Sequence, residues 1–135
     1  AARPRARAPQ ARRRRVMLVD TSVWVRHLRE GDAHLAAALE RAEVWTHPWV
    51  IGELACGRLS DRATVLELLR ALPTTPVASV DEALALIERR ALMGRGIGWV
   101  DVQLLASALL AGVPIWTLDR RLAAVAADLG VVHEG

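Results

Sequence analysis

Four carboxylates of this 135-residue chain each lie where one predicted element gives way to the next. Asp20 closes the apolar run at 16 to 19, and Asp119 follows a second apolar run at 113 to 118. Both positions are typical of the carboxyl ends of parallel strands, which meet at one edge of a sheet. Acids gathered at such an edge repel one another unless a divalent cation compensates their charge. The pattern predicts a metal site that comprises Asp20, Glu53, Asp101 and Asp119.

The ligand atoms of this predicted site are all carboxylate oxygens. Oxygen ligands without a His or Cys cluster favour a hard ion, here Mg²⁺, for which Mn²⁺ can substitute. Such an ion generates hydroxide near neutral pH and stabilises charge on a phosphate, so hydrolysis of a phosphodiester is the expected reaction. Taken singly, each acid has an ordinary explanation as a turn residue, a helix cap or a solvated carboxylate. Only their joint placement favours the metal site.

Between the acids, strand-like and helix-like segments alternate along the chain. Helices are expected at 21 to 29, around 35 to 39, and at 48 to 57, 61 to 72, 79 to 94, 101 to 112 and 122 to 129. Further short strands are expected at 44 to 46, around Val77 and at 131 to 132. The predicted buried face of the helix that begins at Asp101 comprises Val102, Leu105, Ala106 and Leu109. Strands separated by helices predict an α/β fold with a mainly parallel sheet covered on both faces.

The two ends of the charge distribution differ sharply. Residues 1–15 hold seven arginines and no acid, whereas the remaining residues hold eleven arginines and fifteen acids, a net charge of −4. The first segment cannot bury apolar area, so it is predicted to be a disordered Arg-rich tail ahead of one domain at 16–135. An upstream extension or cloning remnant, with Met17 as the natural start, is the favoured explanation. An RNA-binding arm and a targeting peptide are the alternatives.

Composition also bears on the compartment. No apolar stretch approaches the roughly 20 residues needed to cross a bilayer, so no membrane partner is expected. The single cysteine, Cys56, cannot form an internal disulfide, which suits a reducing cytoplasm. Cys56 is interpreted as a small buried side chain, and a cytoplasmic location is expected.

Four short motifs occur in order along the chain: LVDTSVW at 18 to 24, WVIGEL at 49 to 54, GWVD at 98 to 101 and WTLDRRL at 116 to 122. Together they resemble the PIN-domain family, and the chain looks like a VapC-type toxin within it. The resemblance runs from about Val16 to Val132. It implies a three-layer α/β/α PIN-like nuclease domain and a Mg²⁺- or Mn²⁺-dependent endoribonuclease. It also implies an RNA substrate, usually tRNA or rRNA, inhibition by a cognate VapB-type antitoxin, and a homodimer.

The resemblance assigns roles residue by residue. The acidic metal-binding and catalytic positions of the family correspond to Asp20, Glu53, Asp101 and Asp119. The small hydroxyl positions, which bond metal-bound water or order the carboxylates, correspond to Thr21, Ser22 and Thr117. Some relatives carry a further acid shortly after the fourth position, where this chain has Arg120, Arg121 and Leu122. One firmly held ion is therefore favoured over two.

Basic residues follow two of the acids and are candidates for binding RNA phosphates at the rim of the site. They are Arg26, Arg29, Arg120 and Arg121. The alternative for each is a solvated helix face. His27, which lies among them, is not required as a general base, because a metal ion can generate hydroxide.

Two other functions compete with the nuclease. A signalling receiver-like domain also gathers acids around Mg²⁺ at strand ends, but it is expected to carry a lysine there, and this chain has no lysine. A catalytically silent PIN-like domain that binds only RNA or protein is the second alternative. A nuclease assay with and without Mn²⁺ separates both from the enzyme.

Overall fold

The computed structural model describes residues 15–134, so nearly all of the predicted tail lies outside the described residues. The strands are β1 (Met17–Val19), β2 (Val44–Trp45) and β3 (Ile115–Trp116). The first helices are α1 (Thr21–Glu30), α2 (Ala33–Glu40), α3 (Pro48–Cys56) and α4 (Arg62–Ala71). The later helices are α5 (Val80–Arg90), α6 (Trp99–Ala111) and α7 (Arg120–Asp128).

The described strands form one parallel sheet in the order β2-β1-β3. Met17 pairs with Val44, and Val19 pairs with Trp116, so the ends of β1 and β3 lie side by side. The three residues of β1 are all buried, and neighbouring residues of a strand point to opposite faces. Both faces of the sheet are therefore covered, and the predicted α/β fold with a parallel sheet is confirmed.

The outer edges of the sheet are shorter than the sequence suggested. The strand predicted around Val77 is wrong, because Thr74 instead forms a parallel bridge with Thr46, while Val77 is 49% exposed. The Thr46 N–H donates to the carbonyl of Pro73, and the chain leaves the sheet soon afterwards. At the other edge, the predicted strand at 131 to 132 is a single bridge from Val132 to Ile115.

Capping side chains set several helix starts and thereby shift some predicted boundaries. Asp20 is the N-cap of α1, immediately before the predicted helix start at residue 21, and its carboxylate accepts from the Ser22 N–H. A capping box formed by Ser79 and Glu82 opens α5. Both ends of this box make their hydrogen bonds, which satisfies two backbone donors that the first turn of a helix leaves free.

Helix α6 is the most deeply buried helix of the described chain. It begins at Trp99 rather than at Asp101, so Asp101 is its third residue. Every residue from 102 to 108 is buried, so this stretch is covered by neighbouring elements on nearly all sides. Leu109, predicted to be buried, is 37% exposed because the last turn of the helix reaches the surface beside exposed Leu110. Gly112 ends the helix with a positive φ of 68°.

Two further sequence predictions concern the surface. Among residues 15–134, no helix combines the length and the apolar character that crossing a bilayer requires. Cys56 is a free thiol at the end of α3 and is exposed rather than buried. The preceding turns of α3 bury Val50 and Leu54, and the last residue of the helix lies beyond that buried face.

Candidate metal centre

Asp20 is the most deeply buried of the four predicted acids, with 6% of its surface exposed. Its position follows directly from the fold, because it comes after β1 and its N–H donates to the Trp116 carbonyl on β3. Two hydroxyls, Ser22 Oγ and Thr117 Oγ1, each donate a 2.7 Å hydrogen bond to its Oδ2. These two bonds restrict the orientation of the Asp20 carboxylate.

The connection between β3 and α7 brings Asp119 to the same edge of the sheet. The Asp119 N–H donates to Thr117 Oγ1 over 3.0 Å, and the Leu118 N–H donates to Ser22 Oγ over 2.9 Å. The Asp119 carboxylate caps α7 by accepting from the N–H groups of Arg121 and Leu122. Asp119 is therefore both a structural cap and an exposed carboxylate beside Asp20.

Glu53 approaches the site from α3. It lies in the middle of that helix, and it is exposed. Thr21, the first residue of α1, donates a 2.6 Å hydrogen bond from Oγ1 to Glu53 Oε1. This bond joins α3 to the start of the helix that Asp20 caps. The three predicted hydroxyl residues thus all bond an acid, Ser22 and Thr117 to Asp20 and Thr21 to Glu53.

Asp101 completes the group from the first turn of α6, where its Oδ2 accepts a 3.0 Å hydrogen bond from the Gly98 N–H. Burial raises the pKa of Asp101 above its ordinary value, and the bond from Gly98 lowers it. The negative charges of Asp20, Asp119 and Glu53 raise the pKa of Asp101 further. All three other acids are therefore close enough to repel Asp101, so the fold brings four distant residues into one electrostatic group.

The carboxylates are near one another but do not form a closed ligand cage. In the described part of the chain, no three Asp, Glu, His or Cys side chains converge in an arrangement that could hold a metal ion. Each carboxylate instead bonds donors on its own or an adjacent element, as the bonds of Asp119 to α7 illustrate. The donor chemistry nevertheless fits a hard divalent cation, because the group offers carboxylate and hydroxyl oxygens. The carboxylates also repel one another, and a bound cation would compensate their charge.

The four predicted RNA-binding arginines lie in different surroundings. Arg26 forms an ion pair with Asp32 at the N-terminus of α2, so its charge is already compensated. Arg120 and Arg121 are exposed in the first turn of α7. The side chain of Arg121 lies over the glycine-rich loop before α6, where a methyl group on Gly96 would come within 2.7 Å of Arg121 Cδ. Arg121 therefore lies next to Asp119, whose carboxylate accepts from its N–H, whereas Arg26 is paired with Asp32.

A groove of about 440 Å³ extends from Glu53 between α1 and the connection from α3 to α4. Its basic residues are Arg29, which was predicted, and Arg58, which was not. Its apolar residues are Val25, Leu28, Leu54, Leu59 and Val65. A basic residue directly after the helix-ending Gly57 and five positions after Glu53 is the sequence signal that identifies Arg58.

The sequence and fold of this chain match known proteins over most of its length. The PIN-domain family model matches residues 17–128. The chain is 50% identical over 117 residues to Ribonuclease VapC32 of Mycobacterium tuberculosis, strains CDC 1551 / Oshkosh and ATCC 25618 / H37Rv. That alignment covers 86% of this chain and 94% of the relative.

A solved structure agrees at the level of the fold. The crystal structure of PAE2754 from Pyrobaculum aerophilum superposes with a TM-score of 0.55 and 21% sequence identity, over 81% of this chain and 78% of that one. The family match, the identity to Ribonuclease VapC32 and this shared fold agree with the four motifs and with the grouping of their acids. The chain belongs to the PIN-domain family, as a VapC-type member.

Proposed function

We propose that this chain is a metal-dependent endoribonuclease whose site is formed by Asp20, Glu53, Asp101 and Asp119. The observation that carries the proposal is the electrostatic grouping of these four acids in a chain half identical to a protein named as a ribonuclease. Mg²⁺ is the proposed ion, with Mn²⁺ as a substitute, because the donors are oxygens of hard ligands. When bound, such an ion supplies Lewis acidity at a phosphate and a source of hydroxide near neutral pH.

The residues of the chain have separate tasks in this proposal. Ser22 and Thr117 hold the Asp20 carboxylate in one orientation, and Thr21 does the same for Glu53. The negative charges of three neighbouring acids contribute to the raised pKa of Asp101. A cation that reduces this repulsion would lower that pKa and favour the ionised form of Asp101.

Cleavage of RNA by the purified protein, with and without Mn²⁺, tests the proposal. Asp20→Asn and Asp119→Asn should abolish cleavage, and both retain an amide oxygen that can cap the following helix. Glu67→Gln, which changes an exposed acid of α4, is the matched control and should keep full activity. Full activity in a folded Asp20→Asn protein, or undiminished cleavage in excess EDTA, would refute the proposal and favour a silent RNA- or protein-binding domain.

The substrate and location belong to the same proposal. We propose a cellular RNA stem-loop of tRNA or rRNA as substrate and the cytoplasm as the compartment, since the exposed thiol of Cys56 is free. Mapping of cleavage sites after brief induction, against Asp20→Asn as the control, identifies the RNA. Cleavage sites shared by the active protein and the Asp20→Asn control would argue against this substrate class.

A VapB-type antitoxin is the proposed inhibitor, and the groove beside Glu53 is its proposed seat. The groove offers apolar residues for a partner's apolar face and two arginines, Arg29 and Arg58, for its acids. Val25→Asp should weaken inhibition while cleavage persists, whereas Leu68→Asp, on the exposed face of α4, should not. If the antitoxin inhibited the Val25→Asp protein as strongly as the wild type, its binding site would not be this groove.

A homodimer is proposed through helix α5. Val80 and Leu84 lie one turn apart on this helix and are 59% and 48% exposed. The acid Asp81 is near its start and Arg89 near its end, so two antiparallel copies of α5 would place opposite charges against each other. Leu84→Asp should yield a monomer in light scattering, and Leu68→Asp should leave the dimer intact. A dimeric Leu84→Asp protein would exclude this surface.

A further inference from the structure

His47 stands directly before α3 and is fully buried, with none of its surface exposed. Its Nδ1 accepts a 3.0 Å hydrogen bond from the Trp49 N–H and thereby caps α3. Its other ring nitrogen, Nε2, lies 3.0 Å from Ser107 Oγ on α6. One imidazole therefore joins the helix that carries Glu53 to the helix that carries Asp101.

The protonation of this link follows from its partners. Because Nδ1 accepts a hydrogen bond, the ring proton of neutral His47 must be on Nε2, and Nε2–H donates to Ser107 Oγ. The same hydroxyl accepts a 3.1 Å bond from the Ala78 N–H, which lies just before the N-cap of α5. Both ring nitrogens are thus occupied in a buried position. His47 has no route for exchanging a proton with a substrate, so it cannot act as a general base.

We infer that His47 is a positioning residue, which fixes α3 relative to α6 through Ser107 and so holds Glu53 at its working distance from Asp101. The inference rests on the proposed function, because it concerns the same acidic site. His47 and Glu53 are separated by six positions along the chain, and Asp101 precedes Ser107 by the same number. Six helical residues rise about 9 Å, so the link acts through the two helix bodies and not by touching the ion or the substrate.

The consequence for the reaction is a matter of geometry. Metal ligands from two helices bind one ion well only when the helices keep their relative placement. A displacement of about 1 Å that originates far from the chemistry can lower a rate by about 100-fold. Loss of the link should therefore weaken metal binding and lower kcat, whereas KM for RNA, which depends on contacts at the rim, should change little.

The test uses the full chain and separates the two hydrogen bonds of the imidazole. His47→Asn keeps a side-chain oxygen that can cap α3 but is too short to reach Ser107. Ser107→Ala removes the acceptor from the other side, and the double variant removes both. Leu35→Val shortens a fully buried side chain of α2, a helix without site residues, and serves as a control for general loss of stability. Calorimetry with Mn²⁺ and steady-state cleavage of one RNA are measured for every protein.

We expect about tenfold weaker Mn²⁺ binding and about tenfold lower kcat in His47→Asn and in Ser107→Ala, within the range seen for lost outer-shell support. KM should change less than about twofold, and the double variant should be no worse than the weaker single variant, because one link is lost in each. Leu35→Val should match the wild type in both measurements.

Several results overturn the inference. One is that Mn²⁺ affinity and kcat are unchanged in both single variants. Another is that the losses in the double variant equal the product of the losses in the two single variants. A third is that Leu35→Val loses as much kcat as His47→Asn when the two proteins have the same thermal stability. A wild type that binds Mn²⁺ without cleaving RNA would remove the proposed function, and the Mn²⁺ affinities alone would then decide the inference. A wild type that neither binds Mn²⁺ nor cleaves RNA would end both.

Discussion

Thr117 Oγ1 donates a 2.7 Å hydrogen bond to Oδ2 of Asp20, a residue 97 positions earlier in the chain. The same hydroxyl accepts from the Asp119 N–H over 3.0 Å. It therefore holds the carboxylate at the end of β1 against the backbone of the next acid. Because β1 and β3 are neighbours in the sheet, the two acids at their ends share one hydroxyl between them.

Thr117→Val removes this hydroxyl and keeps the shape of the side chain. We expect a loss of about 2 kcal/mol in the free energy of unfolding, typical of a hydrogen bond to a charged group. Cleavage should fall by about tenfold to 100-fold, since Asp20 loses a group that orients it. Urea unfolding and steady-state kinetics measure the two effects. Thr64→Val on exposed α4 is the matched control, and equal kinetics in both variants would contradict the assigned role.

Asp101→Asn should separate stability from function. In the metal-free protein the substitution removes a carboxylate that three neighbouring acids repel, so the free energy of unfolding should rise. The amide oxygen of asparagine can still accept from the Gly98 N–H. Mn²⁺ affinity should fall by more than tenfold, because mutation of a residue that only supports a metal ligand already lowers metal affinity by about tenfold. Thermal unfolding in EDTA and calorimetry with Mn²⁺ supply the measurements.

Asp81→Asn provides the comparison for this prediction. Asp81 also lies in the first turn of a helix, where a negative charge interacts favourably with the helix dipole, and it is exposed. Its replacement should slightly lower the free energy of unfolding and leave Mn²⁺ binding unchanged. If Asp101→Asn destabilised the metal-free protein as Asp81→Asn does, mutual repulsion of the acids would not be the dominant effect at Asp101.

The sequence predicted the parts of the site that depend on the ends of strands and helices. Asp20 and Asp119 follow apolar runs, and parallel strands bring such ends together whatever their separation along the chain. Helix starts were harder to predict, because Asp101 was expected to begin its helix but follows two further helical residues. Interactions at the end of a helix shift its first residue by one or two positions, and the hydrophobic pattern of the sequence does not determine that shift.

The sequence did not predict the buried polar contacts between helices that are distant along the chain. The bond of His47 to Ser107 joins residues 60 positions apart, and neither residue stands in a motif that marks it. A lone histidine within an apolar stretch has no periodicity that distinguishes a buried link from a surface side chain. The direction of each carboxylate is likewise set by its nearest N–H and O–H donors, which become known only when the helices are packed.

Arg121→Gln tests whether the rim of the site binds RNA phosphates. The side chain of Arg121 lies over Gly96, where an added Cβ would come within 2.7 Å of Arg121 Cδ. Loss of one phosphate contact should reduce the slope of log affinity against log salt by about 1. The measurement is RNA binding at several salt concentrations by proteins that also carry Asp20→Asn, so that no cleavage occurs. Arg70→Gln, a substitution of an exposed residue of α4, is the control. If the slope were unchanged in Arg121→Gln, Arg121 would be a solvated side chain that does not contact RNA.

The buried imidazole of His47 should make the protein sensitive to acid. Burial lowers the pKa of His47 from 6.5 to about 4, so the unfolded chain binds a proton in this interval that the native protein does not. The contribution of His47 to the free energy of unfolding should therefore fall by about 3 kcal/mol as the pH falls from about 6.5 to about 4. Below about pH 4 both states are protonated, and this contribution no longer changes.

Urea unfolding of the metal-free protein at pH 7 and pH 4.5 measures the effect. His47→Asn cannot titrate, so its stability should fall less than that of the wild type between these two pH values, by about 2 to 3 kcal/mol. Thr64→Val, an exposed substitution on α4 that changes no titratable group, should keep the wild-type dependence. The hydrogen bond from the Leu35 N–H lowers the pKa of Asp32 below 3.8, so the stability that Asp32 contributes is lost only below this window. Identical pH dependence in the wild type and His47→Asn would show that the imidazole is already accessible to protons in the native protein.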